Sequence, residues 1–166
     1  TFYLTTPLYY VNAAPHIGHS YTTVAADCLA RYHRLRGEPV FFLTGTDEHG
    51  QKIEQAAAAS GQAPQAFVDG VVERFDSLWT LLEISHDDFI RTPQPRHPQV
   101  VQACLTKLHQ DGKLLHASYE GWYCTPCETF WTKDELARAP GASAICPNCR
   151  RGLERVTEEG WYLPLR

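Results

Sequence analysis

Methionine is absent from all 166 residues. The start residue is therefore expected to be missing. Thr1 leads directly into an apolar segment without the basic stretch and cleavage site of a signal peptide, so no targeting signal is expected, a presequence already removed remaining open. Also missing is any apolar run approaching the ~20 residues that span a bilayer, which argues against membrane insertion. Positive charge is not in excess either: 15 Lys and Arg stand against 19 Asp and Glu, a net charge of -4. Such a chain has no global pull toward nucleic acid, and if RNA is a substrate most of its grip lies elsewhere. No internal repeat or low-complexity segment is present. What remains, 43% hydrophobic and 20% charged residues, is the composition of a globular protein. The length suits one good core plus a small satellite that needs help to hold together.

Six cysteines are present, and four of them form two C-x-x-C pairs, Cys124-Thr125-Pro126-Cys127 and Cys146-Pro147-Asn148-Cys149, separated by eighteen residues. That spacing fits a zinc ribbon with four cysteine ligands, and four thiolates leave no open coordination position, so Zn2+ there would be structural. Two disulfides are the alternative. Paired cysteines of this kind favour a reducing compartment, with the cytoplasm as the expected location. Cys28 and Cys104 lie in apolar helical patterns and are expected to be small core residues rather than reactive thiols.

Phe2 to Thr6 reads as a short strand, interrupted by Pro7 and Asn12. A helix follows with an apolar stripe at Val24, Ala25, Cys28, Leu29, Tyr32 and Leu35, and Gly37 as its stop. The run from Pro39 to Thr44 has strand length and completes a βαβ unit, the building block of a parallel sheet whose ligands bind beyond the carboxyl ends of its strands. Helices are expected at Gln51 to Ser60 and at Pro64 to Leu82. The second of these carries Phe67, Val71, Phe75, Leu78 and Leu82 on one face. Asp88 to Arg91 can form another strand, and His97 to Asp111 a helix with Val101, Leu105 and Leu108 inward, ending at Gly112. From Lys113 the chain changes to short aromatic strand-like pieces with few aliphatic residues. The expected fold is α/β, a Rossmann-like parallel sheet over residues 1–112 followed by a small zinc ribbon over 113–166, for which the metal would supply folding energy.

Two clusters carry the chemistry. His16-Ile17-Gly18-His19 stands after the first strand and loop, where a helix begins. H-x-G-H alone arises by chance in roughly a few per cent of chains of this length, and surface or capping histidines are its plain alternative. At a helix start, however, unpaired N–H groups and positive potential suit phosphate, and Gly18 would let it approach the backbone. His16 and His19, three residues apart, can both donate to one phosphate chain. The second cluster, Gly45-Thr46-Asp47-Glu48-His49-Gly50, closes the second strand at the sheet edge where a ligand belongs. Asp47 suits a substrate ammonium, against the alternative that Asp47, Glu48 and His49 form only a turn and helix cap.

Thr5-Thr6-Pro7-Leu8-Tyr9-Tyr10-Val11-Asn12 running into Pro15-His16-Ile17-Gly18-His19, and then Phe42-Leu43-Thr44-Gly45-Thr46-Asp47-Glu48-His49-Gly50, resembles the class I aminoacyl-tRNA synthetases and, within them, the methionyl-tRNA synthetase family. The match covers essentially the whole chain in order. H-x-G-H alone would admit the sister synthetases for Ile, Val, Leu and Cys, and small nucleotidylyltransferases.

The resemblance implies a methionine-tRNA ligase that activates L-methionine with ATP and Mg2+ and transfers it to tRNA. It implies that His16, Gly18 and His19 meet the ATP phosphates, that Leu8 and Tyr10 line the methionine site, and that Asp47 holds the ammonium. Core packing is the alternative for Tyr10. It further implies a zinc knuckle in the connective insertion, here from Lys113, and a continuation carrying the second half of the sheet, a K-M-S-K-S loop and an anticodon-binding domain. No part of that continuation is in the chain, so an incomplete enzyme with little or no activity alone is expected. The tail from Gly160 to Leu165 follows the aromatic strand expected there only loosely, and Pro164 argues against a central strand. Rival readings are a self-standing nucleotidylyltransferase and a non-enzymatic zinc module, though the ribbon has no basic stripe.

Overall fold

A computed structural model describes residues 1–138 and 145–164 of the chain. Along the sequence run β1 (Phe2–Thr5), β2 (Tyr9–Tyr10), α1 (Ile17–Leu35), β3 (Val40–Asp47), α2 (Gln51–Ser60), α3 (Pro64–Leu81) and β4 (Asp88–Arg91). Next come α4 (Arg96–Gln110), β5 (Leu115–Cys124), β6 (Thr129–Trp131), α5 (Lys133–Arg138) and β7 (Glu154–Tyr162). Two compact units result, Thr1–Gln102 and Ala103–Arg166, so that α4 is shared between them. The change of sequence character near Lys113 falls just before β5.

The first unit is a parallel sheet centred on β3. Leu43 pairs with Thr5 on one side and Asp88 on the other, and Thr46 with Tyr9 and Arg91. β1 and β2 therefore lie in line along one edge of β3, interrupted at Pro7, with β4 along the opposite edge. β3 runs to Asp47, three residues beyond the apolar segment that marks it in the sequence, because both edges still offer partners there. Gly45 is required by this arrangement: a Cβ at that position would lie 2.0 Å from the Ile90 carbonyl oxygen.

Helix α3 covers the sheet with Val68, Val71, Val72, Phe75 and Trp79, which join Tyr9, Val11 and Ile53 in the main core. Val71 and Phe75 are on the expected face. Phe67 and Leu78 only flank it, and Leu82, at 37% exposure, lies outside.

The stripe expected for α1 lies about half a turn away from the face that is buried. Thr23, Ala26, Asp27 and Ala30 are buried instead, while Leu29 and Tyr32 are half exposed and Leu35 is 88% exposed. Polar partners explain the difference. The Tyr9 and Thr23 hydroxyls bond at 2.8 Å, and Asp27 accepts from the Ser85 amide, the Ser85 hydroxyl and Arg31. Periodicity counts apolar letters and so misses a face buried through hydrogen bonds. Cys28 and Cys104 are both exposed rather than core residues. On α4 no residue is buried: Val101 and Leu105 are exposed and Leu108 half-buried, so the inward face expected for this helix is not covered among the described residues.

An ion pair between buried Glu48 and partly exposed Arg91 joins the carboxyl ends of β3 and β4. The Glu48 side chain is fully buried and accepts from Arg91 Nε and Nη2 at 2.7 Å each and from the Thr46 hydroxyl at 2.7 Å. Its amide donates to Thr92 Oγ1, and Arg91 also reaches Asp69 on α3.

The second unit is an antiparallel sheet in the order β6-β5-β7, with β5 and β7 paired from Leu115↔Tyr162 to Tyr123↔Glu154. The tail thus forms a regular edge strand as far as Tyr162. Pro164 lies beyond it, where a missing N–H costs no ladder bond. Leu165 and Arg166 lie outside the described residues.

The buried polar groups set the stability of the first unit. Arg91→Met leaves Glu48 buried without its counter-charge and should cost about 3–5 kcal/mol in urea unfolding. Asp27 is held below the ordinary carboxylate value: burial pushes it up, but the Ser85 and Arg31 hydrogen bonds outweigh that. A depressed folded-state pKa gives stability that is complete above about pH 4 and lost as pH falls through the depressed value. Asp27→Asn should therefore lower the unfolding midpoint at neutral pH and flatten its decline in acid.

Candidate functional site

The start of α1 is capped by its own histidines. His16 stands at the N-cap with extended backbone, and its Nδ1 accepts the Gly18 amide at 3.1 Å. His19, three residues on, returns the bond: its Nδ1 accepts the His16 amide at 3.1 Å. This is the reciprocal geometry of a capping box, with imidazoles in place of the usual hydroxyl and carboxylate. The rings stack 3.9 Å apart at 18°. Because each Nδ1 accepts, the neutral tautomer assigned by the network carries its proton on Nε2, which remains available to donate outward. Partial burial and then the neighbouring His16 charge hold His19 below the ordinary imidazole value, so it is neutral at pH 7 and still a donor. Gly18 serves this cap directly: a Cβ there would lie 2.9 Å from His16 Cε1 and 3.0 Å from Nδ1. The cap thus occupies Nδ1 of each ring and makes no use of Nε2.

Both histidines open onto a cleft of about 530 Å³, whose walls include Leu8, Tyr10, Asn12 and Ala14. Leu8 and Tyr10 are 37% and 45% exposed, so Tyr10 is a surface residue and not core packing. Asp47, at the end of β3, is half-buried and paired in register with Tyr10, and its Oδ1 accepts the His49 amide at 3.4 Å. The polar run at the end of β3 therefore divides by role: Glu48 turns inward as the clamp on Arg91, while Asp47 lies beside the cleft-lining Tyr10.

Three features were not visible in the sequence. Lys52, one residue into α2, sits 6.0 Å over the Tyr10 ring. A second, apolar cleft of about 610 Å³ is lined by Leu8, Leu43, Ile90, Val100 and Val101. The alternate apolar residues of β1, β3 and β4 could have indicated it, since one face of a parallel sheet has to be covered by something. The third is the aromatic surround of His19 by Tyr9 and Phe75.

In the second unit Cys124, Cys127, Cys146 and Cys149 bring their sulfurs within 4.8 Å of one another. Cys124 and Cys149 are 3.5 Å apart and Cys127 and Cys146 3.9 Å, far beyond a disulfide bond of about 2.05 Å. Zn–S bonds of about 2.3 Å in a tetrahedron put neighbouring sulfurs about 3.8 Å apart, so the four donors fit that ion. Burial pushes Cys146 up, yet the Cys149 and Asn148 amides aimed at its sulfur bring it down to about 6. The adjacent Cys149 sulfur pushes Cys127 up to about 12. Glu128 and Arg150, each directly after a C-x-x-C pair, both adopt left-handed backbone, so the two knuckles turn alike.

Comparison with known proteins agrees with this architecture. The chain is 53% identical to a methionine–tRNA ligase of Caldanaerobacter subterraneus subsp. tengcongensis, covering 99% of the chain and 25% of that protein. It is 57% identical to the ligase of Halalkalibacterium halodurans, covering 98% and 26%. A Mycobacterium tuberculosis methionyl-tRNA synthetase in complex with methionyl-adenylate superposes with a TM-score of 0.88 at 34% identity, over 98% of this chain and 32% of that one. The chain spans about a quarter of the length of the curated relatives it matches. A model of the family described as tRNA synthetases class I (M) matches residues 2–159, and with relatives this similar along its whole length the chain belongs to that family.

Proposed function

We propose that this chain carries the phosphate-binding and ammonium-binding edge of a methionine-tRNA ligase, the part of the enzyme that begins activation of L-methionine by ATP. The observation that carries the reading is the reciprocally capped helix start, which presents two Nε2–H donors to a cleft lined by Leu8 and Tyr10 next to Asp47. In the activation step a methionine carboxylate oxygen attacks the α-phosphorus of ATP, a P–O bond forms, and pyrophosphate leaves. His16 and His19 would donate to phosphate oxygens as charge builds on them, Gly18 would admit the phosphates to the helix start, and Asp47 would hold the ammonium. Leu8 and Tyr10 would offer the thioether an apolar wall. Mg2+ accompanies ATP as part of the substrate, and transfer to tRNA completes the reaction.

Residues 1–112 would then form the first half of the nucleotide-binding fold and 113–166 a connective insertion. Zn2+, held by Cys124, Cys127, Cys146 and Cys149, would be structural, since the four thiolates fill its coordination shell. Thiols held for a metal suit a reducing compartment such as the cytoplasm; no described helix is long and apolar enough to cross a membrane. A self-standing nucleotidylyltransferase or a zinc module accounts for one unit and leaves the other without a reason.

Isothermal titration of the zinc-loaded chain should show ATP binding weakened about tenfold or more by His16→Ala or His19→Ala, the loss of one or two hydrogen bonds to charged oxygens. Gly18→Ala should weaken it comparably by displacing the His16 ring. Asp47→Ala should instead weaken methionine. ATP affinity indifferent to the histidines, or preference for another amino acid, would overturn the reading.

Chelation gives a separate check. Removing the metal should abolish the β-sheet signal of the second unit and shift its Trp emission to longer wavelength while leaving the helical signal of the first, because the ribbon's apolar cluster is built around the cysteines. A ribbon that stays folded without metal would show that zinc is dispensable.

A further inference from the structure

The His19 imidazole is held on more sides than a cap requires. His16 stacks on it, Tyr9 meets it edge-on at 4.9 Å and 66°, and Phe75 lies 5.2 Å away at 57°. Tyr9 itself is fixed. Its hydroxyl bonds Thr23 at 2.8 Å, and both residues are buried. Its ring stacks on Phe75 at 6.0 Å and tilts against Trp79 at 5.9 Å. Thr23 lies one turn after His19 on α1, so the Tyr9 hydroxyl is tied to the same helix that carries the imidazole.

We infer that Tyr9 is a positioning residue for His19: anchored through Thr23, its ring keeps the imidazole in the one orientation that closes the Nδ1 cap on the His16 amide and leaves Nε2–H toward the cleft. Ordinary packing could bury Tyr9 without the hydroxyl bond. What the hydroxyl adds is a fixed angle. A ring free to rock would carry His19 with it, and a capping bond formed by a ring nitrogen tolerates little rotation. Phe75, apolar and fully buried, adds a second ring against the imidazole. Tyr9 touches no reacting atom. Its effect passes entirely through His19, and its importance for activation rests on the reading that His19 donates to phosphate.

The test uses the zinc-loaded 166-residue chain and needs no turnover. Amide hydrogen exchange and 15N spectra of the histidine rings are recorded for the parent chain, Tyr9→Phe, Tyr9→Leu and Thr23→Val. Tyr9→Leu should speed exchange of the His16 amide about fivefold, the size expected for losing one capping bond. It should also mix the His19 tautomers, while the Ala26 and Ala30 amides inside α1 stay unchanged. Tyr9→Phe and Thr23→Val keep the packing and drop only the hydroxyl bond, so a smaller change confined to His16 and His19 is expected. If Tyr9→Leu does not fold, these two variants decide the matter. Unchanged His16 exchange and an unchanged His19 tautomer in the folded variants, or a uniform rise along α1, would overturn the inference. Added ATP separates it from the functional reading. An ATP-dependent shift at His19 Nε2 that is indifferent to Tyr9 defeats the positioning role alone. A Tyr9-dependent tautomer with no response to ATP keeps the positioning role and defeats the phosphate reading.

Discussion

The carboxyl edge of the sheet depends on the Glu48–Arg91 pair, whose carboxylate is fully buried and whose guanidinium is partly exposed. Glu48 follows directly on β3 and Arg91 closes β4, and their two-pronged contact joins the carboxyl ends of the two strands. Asp69 brings α3 into the same knot. A buried pair of this kind is a weak source of net stability, because removing two charges from water offsets most of their attraction. Its value is in position. With Glu48 pinned inward, Asp47 is fixed at the register point opposite Tyr10, and the turn into α2 begins from a defined place. A hydrophobic pair of the same volume would pack as well but would add no directional bond to the backbone pairing of the strand ends.

The same exchange of apolar burial for definition runs through α1. A helix covering a parallel sheet ordinarily presents aliphatic side chains. Here its buried face is Thr23, Ala26, Asp27 and Ala30. The small alanines let the helix approach Phe42. Thr23 meets a directional partner in Tyr9, and Asp27 in Ser85 and Arg31. Arg34 adds bonds to Ser85 and Asp87, and Asp87 in turn accepts the Phe42 amide. The helix is thus set in rotation as well as in depth, which matters because its first turn carries the two histidines.

How much of this could be read from the letters depends on which force fixes each element. β1, β3, α2 and α3 were legible because continuous apolar runs, prolines and glycines mark them locally. The clustering of the four cysteines was legible because two C-x-x-C pairs at this spacing fit the geometry of a four-sulfur metal site. The rotation of α1 was not, since its buried face is made of polar residues whose partners, Tyr9 and Ser85, lie in other segments. Cys28 lies on the apolar stripe that α1 leaves exposed, and Cys104 on a helix that buries none of its residues. Asp47 was singled out in the sequence, but the inward role of its neighbour Glu48 was not legible, because its partner Arg91 lies in another strand. The histidine pair was legible as a motif, but the roles of its nitrogens were not, because they depend on which amides the rings fold back upon.

Those roles also explain why imidazole suits the helix start. Serine or threonine would cap the free amides but offer a single oxygen for both tasks. Aspartate would cap well and repel a phosphate. Lysine and arginine would attract phosphate but have no acceptor with which to cap. Imidazole accepts through Nδ1 and donates through Nε2 on opposite sides of a rigid ring, so binding the helix and binding an anion do not compete. For His19 this division holds only while the ring is neutral, since a protonated Nδ1 would oppose the His16 amide it now accepts. The partial burial that lowers the His19 pKa therefore favours the cap and keeps the outward donor aligned, and one physical condition serves both.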